Sequence, residues 1–328
     1  MKNILLINFF IVLVIILTLE IIIRFSNIVS LQGFDKEAIY FENGIILSKP
    51  NNTFKVFGKK SKTDKNGFRI PLNNYSFKND KNSILILGDS VTFGVGVKEK
   101  DTFIGILRNN LQENLYNTAI FGHNIESYLY ILQKHYKNLS NEINEVVIFL
   151  CLNDVVPYQG AVQNKKEEKK EIYNFQKKIV KNVFAVKLNL FFREKSSLFV
   201  FLKGFLTNPA KRHYNYMKAL YEDEKNLNNF EKFTHKIDKF MKKKDLKYRY
   251  VLFPYAYQVK NDCKKDTLMP QEKIKRILNK KKSNFIDYTN EFCKNPNSNK
   301  LFLKYDPVHL SKYGHRFVSD LLNRDNIL

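Results

Sequence analysis

Four stretches of the chain hold residues whose types and spacing suit acyl transfer. Gly88-Asp89-Ser90 offers a hydroxyl nucleophile, Ser90, with its own backbone N–H beside it. Phe121-Gly122-His123-Asn124 offers the Gly122 N–H, where the missing side chain lets an oxyanion approach. Asn153-Asp154 offers a side-chain amide. Asp306-Pro307-Val308-His309 offers a carboxylate three residues before an imidazole. Across a turn, that spacing lets Asp306 hydrogen-bond His309, fix its tautomer and favour the imidazolium formed in catalysis. The other ring nitrogen is then available to take the Ser90 proton. The Ser90 and Gly122 N–H groups and the Asn153 amide make a three-donor oxyanion hole. Losing one such donor costs on the order of 3 kcal/mol of transition-state stabilisation.

Each stretch also has a plain structural reading. Gly-Asp-Ser is equally a strand-to-helix turn with Ser90 as its cap. Asn153-Asp154 is equally a turn, Asp306 a cap, and His309 a helix-start residue. His123 is assigned to surface or packing rather than to substrate. His135, His213 and His235 lie in lysine-rich helical stretches and carry no case. Asp287 is taken as structural. The elements that must position the four stretches decide between the readings.

Ser83–Leu87 is a short run of branched apolar residues, which reads as a strand buried on both faces. Gly88 ends it. Further strands are expected at Leu115–Ile120, Glu145–Leu150, Tyr248–Phe253 and Asn284–Ile286. Helices are expected over Thr102–Leu111 with Asp101 as N-cap, and over Ile125–Tyr136, Gln271–Lys280 and Ser311–Leu322. The alternation predicts a parallel sheet with right-handed crossovers. Chemistry gathers at the carboxyl ends of such strands, and the four stretches open on that edge.

The 328 residues suffice for one large domain with additions. Ile4–Ile23 is apolar except for Asn8, Thr18 and Glu20, and its length suits one membrane crossing. No small-residue cleavage site follows, so an uncleaved anchor over 1–25 is expected. A short N-terminus ahead of such an anchor stays inside. The rest of the chain is therefore expected outside the cytoplasm, tethered to the cell membrane. Residues 26–80 read as a spacer with a small β addition and no chemistry. An insertion near 156–245 interrupts the alternation. Its run Lys165–Lys170 reads as solvated, and Phe230, Phe233, Ile237, Phe240 and Met241 read as a core stripe. Val183–Thr207 reads either as a cap on its own apolar face or as a basic amphipathic helix on the membrane.

Net charge is +23, with lysines scattered rather than clustered. No nucleic-acid recognition motif accompanies it, so nucleic acid is set aside as a partner. An anionic glycan or membrane surface suits the charge. Three cysteines make neither a metal site nor a dense disulfide framework. Cys151 is expected to be buried. Cys263 and Cys293 both sit in the polar C-terminal third and could pair in an oxidising compartment; sequence shows no distance between them and leaves the pairing open.

The four stretches together resemble the SGNH (GDSL-type) hydrolase superfamily in its membrane-anchored bacterial form. Gly88-Asp89-Ser90 followed by Val-Thr-Phe-Gly is similar to the first family block, with Ser90 in the nucleophile's place. Gly122 is similar to the glycine of the second. Asn153-Asp154 resembles the third, although Cys151 stands where that block has glycine. Asp306-Pro307-Val308-His309, with Gly314-His315 after it, resembles the last. The resemblance runs over about residues 62–325, with the insertion poorly matched. It implies a three-layer α/β/α flavodoxin-like fold with a five-stranded parallel sheet in the order 2-1-3-4-5.

The expected domains are 1–25 anchor, 26–80 spacer and 81–325 hydrolase. The expected activity is hydrolysis of O-acyl esters, O-acetyl above all, by Ser90, His309 and Asp306, with neither metal nor nucleotide cofactor. An acylated small molecule or surface polysaccharide is the expected substrate. Two rivals stand beside it: an O-acyltransferase modifying an extracytoplasmic polysaccharide, and a catalytically silent glycan-binding or assembly protein.

Overall fold

In the computed structural model, the residues described are 2–78, 82–139, 142–156 and 183–328. The run Lys165–Lys170 lies outside them. Five parallel strands form the central sheet: β6 (Ser83–Leu87), β7 (Asn114–Asn117), β8 (Ile143–Leu150), β9 (Lys247–Leu252) and β10 (Phe285–Asp287). Their spatial order is β10-β9-β8-β6-β7, which is 2-1-3-4-5 in order of appearance. All five residues of β6 are buried, as its unbroken apolar run requires. The chain leaves β6 toward β7 and then crosses back to β8. This reversal makes the carboxyl end of β6 the switch point of the sheet, and Ser90 follows there.

Right-handed crossovers in opposite directions put the connecting helices on opposite faces. Helix α3 (Phe103–Arg108) packs against α12 (Lys312–Arg324), while α4 (Ile125–Leu139) packs against α8 (Glu224–Lys243). This completes three layers. The α3 cap differs from expectation. Thr102 Oγ1 accepts the Gly105 N–H at 3.0 Å, whereas Asp101 pairs with Lys312 at 2.8 Å. A hydroxyl directly ahead of the first helical turn reaches that N–H, and the residue before it does not. The second strand also stops earlier than expected. Beyond Asn117 the chain leaves the sheet, with the Thr118 N–H still donating to the Ile86 carbonyl at 3.1 Å.

Helix α1 (Lys2–Ser26) is apolar, and none of the residues in its apolar stretch is buried. Its length and composition qualify it to cross a membrane. Two small antiparallel sheets follow: β1 (Ile39–Glu42) with β2 (Ile45–Ser48), and β3 (Thr53–Val56), β4 (Lys59–Thr63) and β5 (Arg69–Ile70). Between β8 and β9 the described chain forms α5 (Val183–Lys195), α6 (Ser197–Leu206), α7 (Pro209–Glu222) and α8. Phe230, Ile237 and Met241 of α8 are buried in the main core, with Phe233 and Phe240 half-buried beside them. Cys151 is buried and unpaired. Cys263 and Cys293 form a disulfide across 30 residues, with Cα atoms 5.9 Å apart.

Candidate active site

The site begins with the turn after β6. Asp89 caps the short helix α2 (Ser90–Phe93), its Oδ1 accepting the Val91 N–H at 2.9 Å. The cap is thus Asp89, and Ser90 is the first helical residue, with its hydroxyl left for other partners. Asp306 is held in the same way. Its Oδ1 accepts the N–H groups of Val308 and His309, both at 2.8 Å, which aims Oδ2 at the ring. His309 Nδ1 lies 2.9 Å from Asp306 Oδ2, and His309 Nε2 lies 2.9 Å from Ser90 Oγ. An ionised carboxylate only accepts, so Nδ1 carries the proton and donates to it. Nε2 is then bare and accepts from the Ser90 hydroxyl.

Burial alone would push the Asp306 carboxyl up, but the imidazole and the two N–H donors outweigh it and hold it below its ordinary value. Burial alone would lower His309. The Asp306 charge and hydrogen bond, with the Asp89 charge behind them, raise it instead.

Asn153 lies in the 3₁₀ turn Leu152–Val155 after β8. Its Nδ2 donates to Asp89 Oδ2 at 2.8 Å, and its Oδ1 accepts the Tyr255 hydroxyl at 2.9 Å. Asp89 therefore joins the Ser90 turn to Asn153. The turn is pinned by Asp154, which accepts the Cys151 N–H at 2.9 Å and the Tyr128 hydroxyl at 3.0 Å. These two bonds keep the local shape although Cys151 stands in place of a glycine. Burial pushes the Asp154 carboxyl well above its usual range, and Asp89 adds to this.

Gly122 has φ +86°, a left-handed conformation that favours glycine. A Cβ there would also press on Ile46 Cδ1 at 3.2 Å. The structure gives Gly122 no direct bond to Ser90 or Asn153. It ties the loop to the site through His123, whose ring nitrogens lie 2.8 Å from the Ile46 carbonyl and 3.3 Å from the Gly88 carbonyl. Burial lowers His123 to about 4, so it is a neutral packing residue. His315 is buried too and is lowered to about 3, accepting the Phe103 N–H at 3.3 Å.

Four contributors were not singled out by sequence. Tyr255 follows β9 and holds Asn153, and its place at a strand end was the one available signal. Asp89 stood inside a motif, without a hint that it would bridge two loops. Phe57 comes from the segment read as a spacer, yet its ring meets His309 edge-on at 5.2 Å. No periodic pattern marks it. Arg69, from the same segment, is buried and donates to the carbonyls of Phe93, Gly94 (3.1 Å) and Val97 (2.8 Å) just after α2.

Comparison with known proteins adds the family. The model of the GDSL-like lipase/acylhydrolase family matches residues 84–322. No curated protein matched. Among solved structures, an acetyl xylan esterase is 18% identical, covering 74% of this chain and 98% of its own, with a TM-score of 0.43. A lipase/acylhydrolase from Enterococcus faecalis is 13% identical (74% and 94% covered, TM-score 0.41). The psychrotrophic esterase EstA from Pseudoalteromonas sp. is also 13% identical (74% and 95% covered, TM-score 0.38). The family match runs from β6 into α12, and so takes in all four stretches that hold the site. The chain belongs to the GDSL-like lipase/acylhydrolase family, whose members hydrolyse esters.

Proposed function

We propose that the chain is a membrane-anchored serine esterase acting on O-acyl esters, with O-acetylated cell-surface glycan as the substrate class. Ser90 Oγ attacks the acyl carbonyl while His309 Nε2 takes its proton. Asp306 holds the ring and stabilises the imidazolium. The tetrahedral oxyanion is met by the Ser90 and Gly122 N–H groups and the Asn153 amide. The C–O bond to the alcohol then breaks, and His309 returns the proton to the leaving oxygen. Water, deprotonated by His309, releases the acid and restores Ser90.

The observation that carries this reading is the unbroken chain Asp306 Oδ2, His309, Ser90 Oγ, with both links at 2.9 Å. A binding module has no use for that arrangement. The basic surface, at net +23, suits an acidic glycan. The apolar α1 supports an anchor over 1–25, followed by the spacer 26–80 and the hydrolase 81–325 with its insertion at 156–245. The Cys263–Cys293 disulfide favours an oxidising, extracytoplasmic location.

Turnover of acetylated polysaccharide, with free acetate measured beside an acceptor sugar, tests the reading. Free acetate, lost in Ser90→Ala, is the expected result. Acetylated acceptor without free acetate would make the chain a transferase instead. Protease added to intact cells should digest the domain; protection would refute the orientation.

A further inference from the structure

We propose that helices α5 and α6 form a second membrane contact, a hairpin whose outward apolar face sits in the bilayer that α1 crosses. The inference rests on the reading of α1 as an anchor. Leu188, Phe191 and Phe192 of α5 recur at i, i+3 and i+4, as do Leu202, Phe205 and Leu206 of α6. That spacing puts each triplet on one helix face, which a soluble domain turns inward. Here both triplets face out, with exposures from 37% at Phe192 to 76% at Leu206. The opposite side of α6 is used for packing, through Val200 and Gly204, while Leu198 is buried only at the first turn, beside Glu20. Exposed Lys187 and Lys195 lie on α5 itself, and exposed Lys211 and Arg212 on the first turn of α7, the next helix in the chain, as anionic headgroups would select.

The occupant is argued from continuity with α1. Glu20, six residues before the end of α1, accepts the N–H groups of Ser197 (2.9 Å) and Leu198 (2.8 Å) and the Ser196 hydroxyl (2.8 Å). It thereby caps α6 from within the anchor. Arg24 donates to Glu20 at 2.6 Å and to the Lys195 carbonyl at 2.7 Å. Just past α1, Gln32 takes Arg193 by backbone and side chain, at 2.8 and 2.6 Å. The hairpin is thus fixed beside the last turns of α1, where a span meets the headgroups. An apolar face held there meets lipid.

The same hairpin reaches the site. A Cβ on Gly204 would fall 2.2 Å from Tyr305 Cγ, so only glycine lets α6 lie against the residue before Asp306. The Phe201 ring adds a contact with Tyr305 at 5.8 Å. On the other side, Gly33 packs on Glu194 and accepts the N–H of Phe57, whose ring faces His309, at 2.7 Å. From Ser26 to Gly33 the chain spans at most about 25 Å, so the catalytic rim stays near the lipid surface.

The test uses the full chain in vesicles of phosphatidylcholine and phosphatidylglycerol. Since Cys151 is buried and the other two cysteines are bonded, an introduced cysteine carries an environment-sensitive fluorophore. F191C and L206C report on the hairpin, I15C on α1, and K239C on an exposed site of α8. Turnover of a soluble ester checks each fold. Lipids brominated in the acyl chain should quench labels at 15, 191 and 206, with blue-shifted emission, and leave 239 unchanged. Quenching at 15 with water-like emission at 191 and 206 would overturn the hairpin contact while the anchor stands. No quenching at 15 would overturn both. Unquenched labels at 191 and 206 that cross-link between chains would assign the face to a second copy and overturn the inference.

Discussion

Ser90 Oγ has two possible acceptors for its proton: His309 Nε2 at 2.9 Å and Asp89 Oδ2 at 3.5 Å. The longer contact is at the limit of hydrogen bonding, and Asp89 already accepts from Val91 and Asn153. In the proposed mechanism the imidazole is therefore the base, and it works only when neutral at Nε2. Its pKa is raised above the ordinary 6.5, so kcat/KM should climb with pH around a midpoint above that value. Asp306→Asn removes the main raising influence. The midpoint should move to lower pH, and kcat should fall about 10³–10⁴-fold. A pH–rate profile of both proteins checks this, and an unmoved midpoint would contradict it. Asn153→Ala should cost about 10²-fold in kcat with KM little changed. Tyr255→Phe, which frees the Asn153 amide without removing it, should cost less, about 3–10-fold in kcat. Steady-state kinetics separate the two; an effect on KM alone would assign both residues to ground-state binding.

Among the elements, the turn between β3 and β4 has the least expected role. Phe57 and Gly58 are its two residues, both with positive φ, +46° and +74°. Such a turn matches the twist of a hairpin and favours Asn-Gly. An aromatic residue there holds a conformation that L side chains avoid, at a cost of about 1–2 kcal/mol. In return its ring lies against His309. Phe57→Asn should keep the turn and the fold but lower kcat several-fold, as read by circular dichroism and ester turnover. Unchanged kcat would reduce the ring to packing. This contact shows where sequence reading stops. The sheet was legible because short apolar runs mark most of its strands, and strand ends put Ser90 and Asn153 on one rim; His309 reaches that rim from the loop ahead of α12, well past β10. Asp306 and His309 were legible as a pair because one turn fixes their distance. The line Tyr255, Asn153, Asp89 was not, since spacing along a chain does not say which rim side chains bond. Phe57 was not, because a β addition can dock on either end of a sheet.

At the scale of the whole molecule, the site is assembled from segments far apart in the chain, and two ties hold the periphery. The Cys263–Cys293 disulfide joins the segment after α9 (Ala256–Lys260) to α11 (Thr289–Lys294). A closed loop of that length restrains the unfolded chain by about 3–4 kcal/mol in the chain-entropy picture. Cys263→Ser should therefore lower unfolding stability in urea by up to that amount, and added reductant should lower the parent's alike; stability indifferent to both would deny the bond. The other tie, from Glu20 to α6, links α1, the α5–α6 hairpin and, through Tyr305, the loop that carries Asp306. The central claim is that Ser90 is a nucleophile activated by His309. Reaction of the intact protein with a fluorophosphonate, followed by mass mapping of the adduct, tests it most directly. The account predicts one adduct, on Ser90, formed orders of magnitude more slowly in His309→Ala. An adduct on another residue, or none on a folded protein, would contradict it.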